Sequence, residues 1–195
     1  CSDLPIVRFS HDHVVGFYRF LISEKGHCHN TAVKCMSMVK KVTSRAFHSG
    51  WIKKDPFIGF SLGCKPVERP FLEQYEIEAM MNLRPESKKL ELTRDLFIFS
   101  CFTGLAYADV RSLKAGEIVR TIDGVDWIKT HRTKTKTKAN IPLLPIPKNI
   151  IAKYVRLQDL HPDELIFKVY SNQKINDYLK VLAKLAKIDK KVSFH

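Results

Sequence analysis

The chain has 195 residues, of which 45% are hydrophobic, and it carries a formal net charge of +13 at pH 7. This much apolar material can bury one large core or two small ones, while no apolar run approaches the length of a membrane span and no signal peptide opens the sequence. So basic a chain is expected to meet an acidic partner. Nucleic acid is favoured over a membrane surface, because the charge is spread along the sequence and no strongly amphipathic terminal helix occurs.

The cysteines and histidines predict neither a disulfide framework nor a metal site. The five cysteines are odd in number and include no C-x-x-C pair, which fits a reducing cytoplasm. His27, Cys28 and His29 follow one another in one loop, with a spacing that matches no standard zinc finger. The sequence also has no glycine-rich phosphate loop and no G-x-S-x-G elbow. It therefore predicts no metal and no cofactor.

Residues 1–65 are predicted to form a small helical domain. Ser10 is a suitable N-cap for a first helix that stops near Gly26, and Asn30 for a second helix that stops near Gly50. The second helix has an apolar face of Cys35, Val39, Val42 and Ala46. A separate basic face contains Lys34, Lys41 and Arg45. That face can simply be solvated, or it can lie along a phosphate backbone.

A second domain is predicted over residues 66–195, after a stretch with two glycines and two prolines at 59–70 that is typical of a linker. The first 65 residues hold 10 Lys and Arg against 4 Asp and Glu, a net charge of +6. The remaining 130 hold 23 against 16, a net charge of +7. The smaller domain is therefore the more densely basic.

The elements predicted in the second domain are helices, then three short strands, then helices again. Helices are expected at about 72–83, from the Ser87 cap through 102, from Pro147 to 158, and after the Ser171 cap. Strands are expected at 117–121, 125–130 and 139–143, the first two joined by an Asp-Gly turn. This order predicts a mainly α fold with a small antiparallel β-sheet, an α+β class.

The basic turn HRTKTKTK lies between the second and third strands. If it continues a strand or hairpin arm, its alternation with threonine puts four cations on one side. These cations are Arg132, Lys134, Lys136 and Lys138. Like charges on one face repel each other, and a phosphate backbone would relieve the repulsion. The alternative is an exposed hairpin that lysine keeps in solution.

Five segments of the sequence, in one order and at consistent spacings, resemble parts of the tyrosine recombinase (phage integrase) family. In particular, the chain resembles the integrases of mobile elements in Bacteroides-type bacteria. The first segment, from HVVGFYRFLISEKG to NTAVKCMSMVKKVTSRAFHSGWIKKDPF, is similar to the helical core-binding domain that clamps DNA. The others are similar to the entry to the catalytic domain, the first catalytic motif, the lysine-bearing hairpin and the start of H-x-x-R; they read ERPFLEQYEIEAM, FTGLAYADVRSL, WIKTHRTKTKTKANIPLLP and KVSFH.

This resemblance implies a cofactor-free DNA strand exchange in which a tyrosine attacks a phosphodiester and forms a 3′-phosphotyrosyl link. Two arginines would hold the phosphate, with a lysine and a histidine assisting. The lysine is best matched by Lys134, with Lys136 as second choice, and the histidine by His195. The second arginine and the tyrosine would follow His195, so the chain is expected to be a piece cut at H-x-x-R and inactive in cleavage. Family members act as tetramers on DNA.

The first arginine of the family falls on Ala106 in FTGLAYADVRSL. Alanine cannot bind a phosphate, so either a neighbouring cation such as Arg111 or Lys114 supplies the charge, or catalysis has been lost and only DNA binding remains. The sequence therefore leaves two main hypotheses, a fragment of an active recombinase and a non-catalytic DNA-binding protein on the same fold. A basic helical interaction module unrelated to DNA is a third.

Overall fold

Backbone contacts divide the chain into two units, residues 1–69 and 70–195. The computed structural model describes residues 3–68 and 70–194. Among these residues no helix combines the length and the apolar character needed to cross a bilayer.

The first unit is built on two helices, α1 at His11–Ser23 and α2 at His29–His48, after a short 3-10 turn at Ile6–Arg8. Its small core comes from both helices and from the segment that follows them; the buried members are Val14, Leu21, Ala32, Met36 and Phe57. Ser10 is the N-cap of α1, as predicted. The unit thus buries one face of each helix and leaves the opposite face of α2 to solvent.

The predicted N-cap of α2 is wrong by two residues. Cys28 occupies that position, because the side chain of Asn30 is used elsewhere. Its Nδ2 donates to the carbonyl of Lys65 at 2.8 Å, and its Oδ1 accepts from the Lys65 amide at 2.8 Å. Asn30 therefore ties the end of the unit to α2 rather than satisfying the first turn of the helix.

The second unit contains five helices and a three-stranded sheet within the described residues. The helices are α3 at Gln74–Asn82, α4 at Lys88–Thr103, α5 at Tyr107–Ser112, α6 at Pro145–Tyr154 and α7 at Asn172–Leu185. The strands are β1 at Ile118–Arg120, β2 at Asp126–His131 and β3 at Lys138–Pro142, antiparallel in the order β1-β2-β3. Ile128, fully buried in β2, pairs with Ile118 and Ile141. The predicted α+β class is confirmed.

Helix α4 is the centre of this unit. Residues 93–99 are buried without interruption, and α4 packs against α3, α6 and α7. A helix buried on all sides must pair any charge it carries. Asp95 accepts from Arg94 Nη2 at 2.6 Å, Lys153 Nζ at 2.6 Å and the Tyr154 hydroxyl at 2.7 Å. This network joins α4 to α6 and satisfies the buried carboxylate.

The start of α6 also differs from the sequence prediction. Pro145, and not Pro147, is its first residue, and the helix ends at Tyr154 before a separate 3-10 turn at Leu157–Asp159. Both prolines fit the first turn, since its amides have no partner inside the helix. The spacing of residues alone could not choose between them.

Gly116 provides a test of packing in the second unit. The segment after α5 pairs with the loop before residue 166: Gly116 donates to the Pro162 carbonyl at 2.9 Å, and a Cβ at Gly116 would lie 3.0 Å from both Cβ and O of Pro162. We expect Gly116→Ala to lower the free energy of unfolding of this unit by about 1–3 kcal/mol, since two backbone segments must separate. Urea denaturation followed by circular dichroism measures it.

The matched control is Gly16→Ala in α1, where no atom lies within 4 Å of the added Cβ. There the substitution should stabilise the first unit by roughly 0.5–1 kcal/mol through helix propensity. An unchanged midpoint for Gly116→Ala would contradict the close approach.

Candidate nucleic-acid interface

The FTGLAYADVRSL motif forms a tight turn between α4 and α5. Gly104 ends α4 in the left-handed region, with φ of 63°, and its amide donates to the Ser100 carbonyl at 2.8 Å. A residue without Cβ adopts this conformation at little cost. Leu105 is then buried, and Ala106 stands exposed as the N-cap of α5. The turn therefore presents Ala106, where the resemblance places an arginine, to solvent.

Asp109 connects this turn to the basic hairpin. Its carboxylate accepts from the Thr133 amide at 2.7 Å, from Arg132 Nη1 at 3.2 Å and, more weakly, from the Ala106 amide at 3.4 Å. Arg132 Nη1 also donates to the Gly104 carbonyl at 2.8 Å. We call these five residues the Asp109 cluster. It fixes the β2–β3 turn against the end of α4.

The electrostatics of the cluster favour an ionised carboxylate. Burial would by itself raise the pKa of Asp109, but the hydrogen bonds from Thr133, Arg132 and the Ala106 amide outweigh it and hold the pKa below its usual value. The side chain of Asp109 is only 4% exposed, whereas that of Arg132 is 35% exposed. The pair thus has one buried partner and one that reaches the surface.

The one-sided alternation predicted for the four hairpin cations is wrong. Strand β2 ends at His131, a turn covers 133–135, and β3 resumes at Lys138. Lys136 has φ of 58°, and its amide donates to the Arg132 carbonyl at 2.8 Å. Closing the hairpin in this way breaks the period of two on which the prediction depended. The side chain of Arg132 bonds back to Gly104, whereas the three lysines are exposed to solvent.

Three lysines of the hairpin are exposed, and none makes an ion pair among the described residues; they are Lys134, Lys136 and Lys138. Together with Arg132 we call them the hairpin cations.

A second basic surface lies on α2 of the first unit. Lys34, Lys41 and Arg45, which we call the α2 cations, are exposed and have no ion-pair partner within the described residues. Met38 and Val42 lie on the same outward face, 69% and 62% exposed. The prediction that Val42 belongs to the apolar face is therefore wrong. Met36 and Thr43 are buried instead, so the buried face of α2 is rotated around the helix axis relative to the predicted one.

The two cations first considered as substitutes for the missing arginine lie elsewhere. Lys114 Nζ is paired with Asp163 at 2.8 Å, and Arg111 is exposed in the last turn of α5. Neither hydrogen-bonds to residues 104–106 within the part of the chain that the structure describes. His195 lies outside the described residues.

The tyrosine hydroxyls of the second unit include two with structural partners. Tyr107 donates to the Tyr170 carbonyl at 2.7 Å, and Tyr154 donates to Asp95. Of the histidines near Cys28, His29 is hydrogen-bonded to the Tyr18 hydroxyl and the Gly63 carbonyl. Over residues 3–68 and 70–194, no three His, Cys, Asp or Glu side chains are grouped to hold a metal ion.

Comparison with known proteins gives a sequence match for the first unit and a fold match for the whole chain. Residues 1–62 match the phage integrase SAM-like domain. The fold matches lambda integrase residues 75–356 bound to DNA, with a TM-score of 0.74 and 16% identity over 97% of this chain. The first unit is therefore similar in sequence to that domain, and the whole chain shares the fold of lambda integrase. No curated protein matches it.

Two further lambda integrase structures agree with this assignment of fold. A dimer of residues 75–356 bound to a COC′ core site gives a TM-score of 0.70 at 17% identity over 99% of this chain. A second lambda integrase dimer on a COC′ core site gives 0.68 at 17% identity over 99%. The chain spans 68% of each of the two 75–356 chains and 55% of the third.

Sequence reasoning missed Asp109 as the organising residue of this site. One signal could have revealed it: an acidic side chain three residues after a non-helical N-cap position commonly bonds back to that backbone. Its second role, as acceptor for Arg132 and Thr133, depends on pairs more than twenty residues apart, which spacing within the motif does not show.

Asp109→Asn should lower the free energy of unfolding of the second unit by about 1–3 kcal/mol at pH 7, since the amide keeps the shape but loses the charge. Because the folded pKa of Asp109 is depressed, its stabilisation is present above the unfolded pKa near 3.9 and is lost as pH falls through the folded pKa. The difference between variant and wild type should therefore shrink in acid. Urea denaturation at a series of pH values measures it.

Asp163→Asn is the control, because it makes the same change in an ion pair at the surface. It should cost less than about 1 kcal/mol. Equal losses for the two variants, or a loss at Asp109 that does not vary with pH, would contradict the account of the cluster.

Proposed function

We propose that the chain is the DNA-binding part and a portion of the catalytic domain of a site-specific DNA recombinase. Residues 1–65 would form the core-binding domain and residues 66–195 part of the catalytic domain. The observation that carries the proposal is a set of three exposed cations in each unit, without ion-pair partners among the described residues, on a chain of net charge +13 and integrase fold. They are the α2 cations in the first unit and Lys134, Lys136 and Lys138 in the second. The structures it resembles include lambda integrase bound to DNA, which supports duplex DNA as the partner.

The cations would act mainly on the phosphate backbone. Lysine and arginine that neutralise phosphates release condensed counterions, which gives affinity without sequence preference. The α2 cations would contact one stretch of backbone from the first unit. Of the hairpin cations, Lys134 would approach the reacting phosphate, with Lys136 as the alternative, and Lys138 would bind backbone nearby.

In the full-length protein these groups would serve cutting and rejoining of strands through a phosphotyrosine intermediate. The physical task is to hold a phosphate and neutralise charge on its oxygens while a tyrosine attacks. Covalent storage of the bond makes the exchange reversible without a nucleotide cofactor. Lys134 and His195 are the residues we assign to proton transfer and charge. Self-association on DNA and a location in the cytoplasm belong to the same proposal.

The second candidate is a DNA-binding protein on this fold without catalysis. The exposed alanine at 106, where the family resemblance places an arginine, favours it. The two candidates differ in whether the full-length protein forms a covalent adduct with duplex DNA that carries the sequence flanking its own gene. An adduct that survives detergent and disappears on protease treatment supports the recombinase. DNA binding without any adduct supports the second candidate.

Binding of the chain to a generic 20-base-pair duplex should depend steeply on salt. If six exposed cations, three from each surface, each neutralise one phosphate, the logarithm of the binding constant should fall against the logarithm of salt with a slope of about −5. Fluorescence anisotropy between 50 and 200 mM salt measures this slope. Folded protein that shows no binding at low salt would reject the proposed function.

Reversing charge on α2 should weaken binding without changing sequence preference. We expect Lys41→Glu with Arg45→Glu to reduce the salt slope by about 2, because two phosphate contacts are lost. The matched control is Lys53→Glu with Lys54→Glu, two exposed lysines outside any helix. If both pairs lower the affinity equally, net charge alone decides binding and the α2 surface has no special role.

A further inference from the structure

The turn at Ala106 lacks a cation of its own, but one reaches it from the hairpin. We propose that Arg132 supplies the phosphate-binding guanidinium that residue 106 does not. This inference rests on the proposed function, because it assumes that a DNA phosphate approaches this turn.

The guanidinium of Arg132 lies against the turn that contains Ala106. Its Nη1 donates to the carbonyl of Gly104 at 2.8 Å, which is two residues before Ala106 in the same turn. The Asp109 carboxylate bonds that same Nη1 at 3.2 Å and also accepts from the Ala106 amide at 3.4 Å. The guanidinium is therefore held against the turn from which an arginine at 106 would project, although it comes from the loop between β2 and β3.

Arg132 also keeps hydrogen-bonding capacity for a ligand. A guanidinium has five N–H donors in a fixed plane. The two on Nη1 are used by Gly104 and Asp109, while Nε and Nη2 carry three that have no partner among the described residues. The side chain is 35% exposed. Three coplanar donors at the surface can grip two oxygens of one phosphate, which a lysine cannot do.

The Asp109 cluster also holds the guanidinium of Arg132 by hydrogen bonds made within the chain itself. The buried carboxylate fixes one nitrogen of the guanidinium, and the Thr133 amide fixes the carboxylate at 2.7 Å. Asp109 is thus a positioning residue and Arg132 the group that would touch the phosphate. By contrast, Lys114 is occupied by Asp163, and Arg111 makes no bond to this turn within the described residues.

The test is a double-mutant cycle between residues 106 and 132, read as affinity for the generic 20-base-pair duplex by anisotropy. Arg132→Gln keeps an N–H for Gly104 but removes the charge and the fork, and it should weaken binding about tenfold. Ala106→Arg should restore about tenfold in the Arg132→Gln background but change the wild type by less than about twofold. Two arginines that serve the same phosphate cannot both contribute fully.

The cycle distinguishes a shared phosphate site from independent charges and from a structural role of Arg132. Equal gains from Ala106→Arg in the two backgrounds would mean independent charges and would overturn the inference, while the proposed function would stand. A wild-type chain that does not bind the duplex would reject both. A merely structural role for Arg132 predicts a lower urea midpoint for Arg132→Gln and no rescue by an arginine on the exposed turn.

Arg132→Lys keeps the cycle decisive if Arg132→Gln unfolds. The lysine retains the charge and loses only the planar donors, so its loss of affinity should be smaller, about threefold. Ala106→Arg should again recover it, and failure to do so in a folded variant would overturn the inference. The matched control is Lys138→Gln, whose loss Ala106→Arg should not recover beyond its effect on the wild type.

Discussion

The buried carboxylate of Asp109 is the interaction on which the candidate site depends. It accepts hydrogen bonds from the motif turn and from the hairpin, two segments more than twenty residues apart in sequence. A buried charge is tolerated only with such partners. Removing it would leave the Gly104 carbonyl as the remaining acceptor for the Arg132 guanidinium among the described residues, and the Thr133 amide would lose its partner. Local order at the site is therefore a product of one ionised side chain.

The fold around this carboxylate is rigid for a separate reason. Helix α4, which ends at Gly104, is enclosed by α3, α6 and α7, and its own buried charges are satisfied by Lys153 and Tyr154. The turn thus projects from the best-packed element of the unit. Sites carried by rigid elements hold their geometry better than sites on free loops.

Much of the fold was predictable from local patterns. Ser10, Ser87 and Ser171 marked three helix starts, and the strand positions shifted by only about one residue, because caps and alternation are local signals. Two of the wrong predictions share a cause: Asn30 and the lysine–threonine repeat each satisfied a local rule that a distant contact or a turn overrode. The start of α6 was wrong because Pro145 and Pro147 satisfy the same local rule. For the site, the sequence predicted the basic residues of the hairpin and of α2. It also showed that Ala106 stands where the family resemblance places an arginine. It could not supply the pairing of Arg132 with Gly104, which exists only once the sheet has formed.

The early immobilisation of Arg132 has a thermodynamic consequence. A long flexible side chain that orders only on contact loses rotamer entropy worth roughly 0.5–1.5 kcal/mol. Arg132 has already lost that freedom in the free protein, at the expense of folding, whereas the exposed lysines beside it have not. Its contact with a phosphate should therefore lose less side-chain entropy than the contacts of those lysines. The hairpin in this way combines one pre-ordered contact with several that are ordered only when the partner arrives.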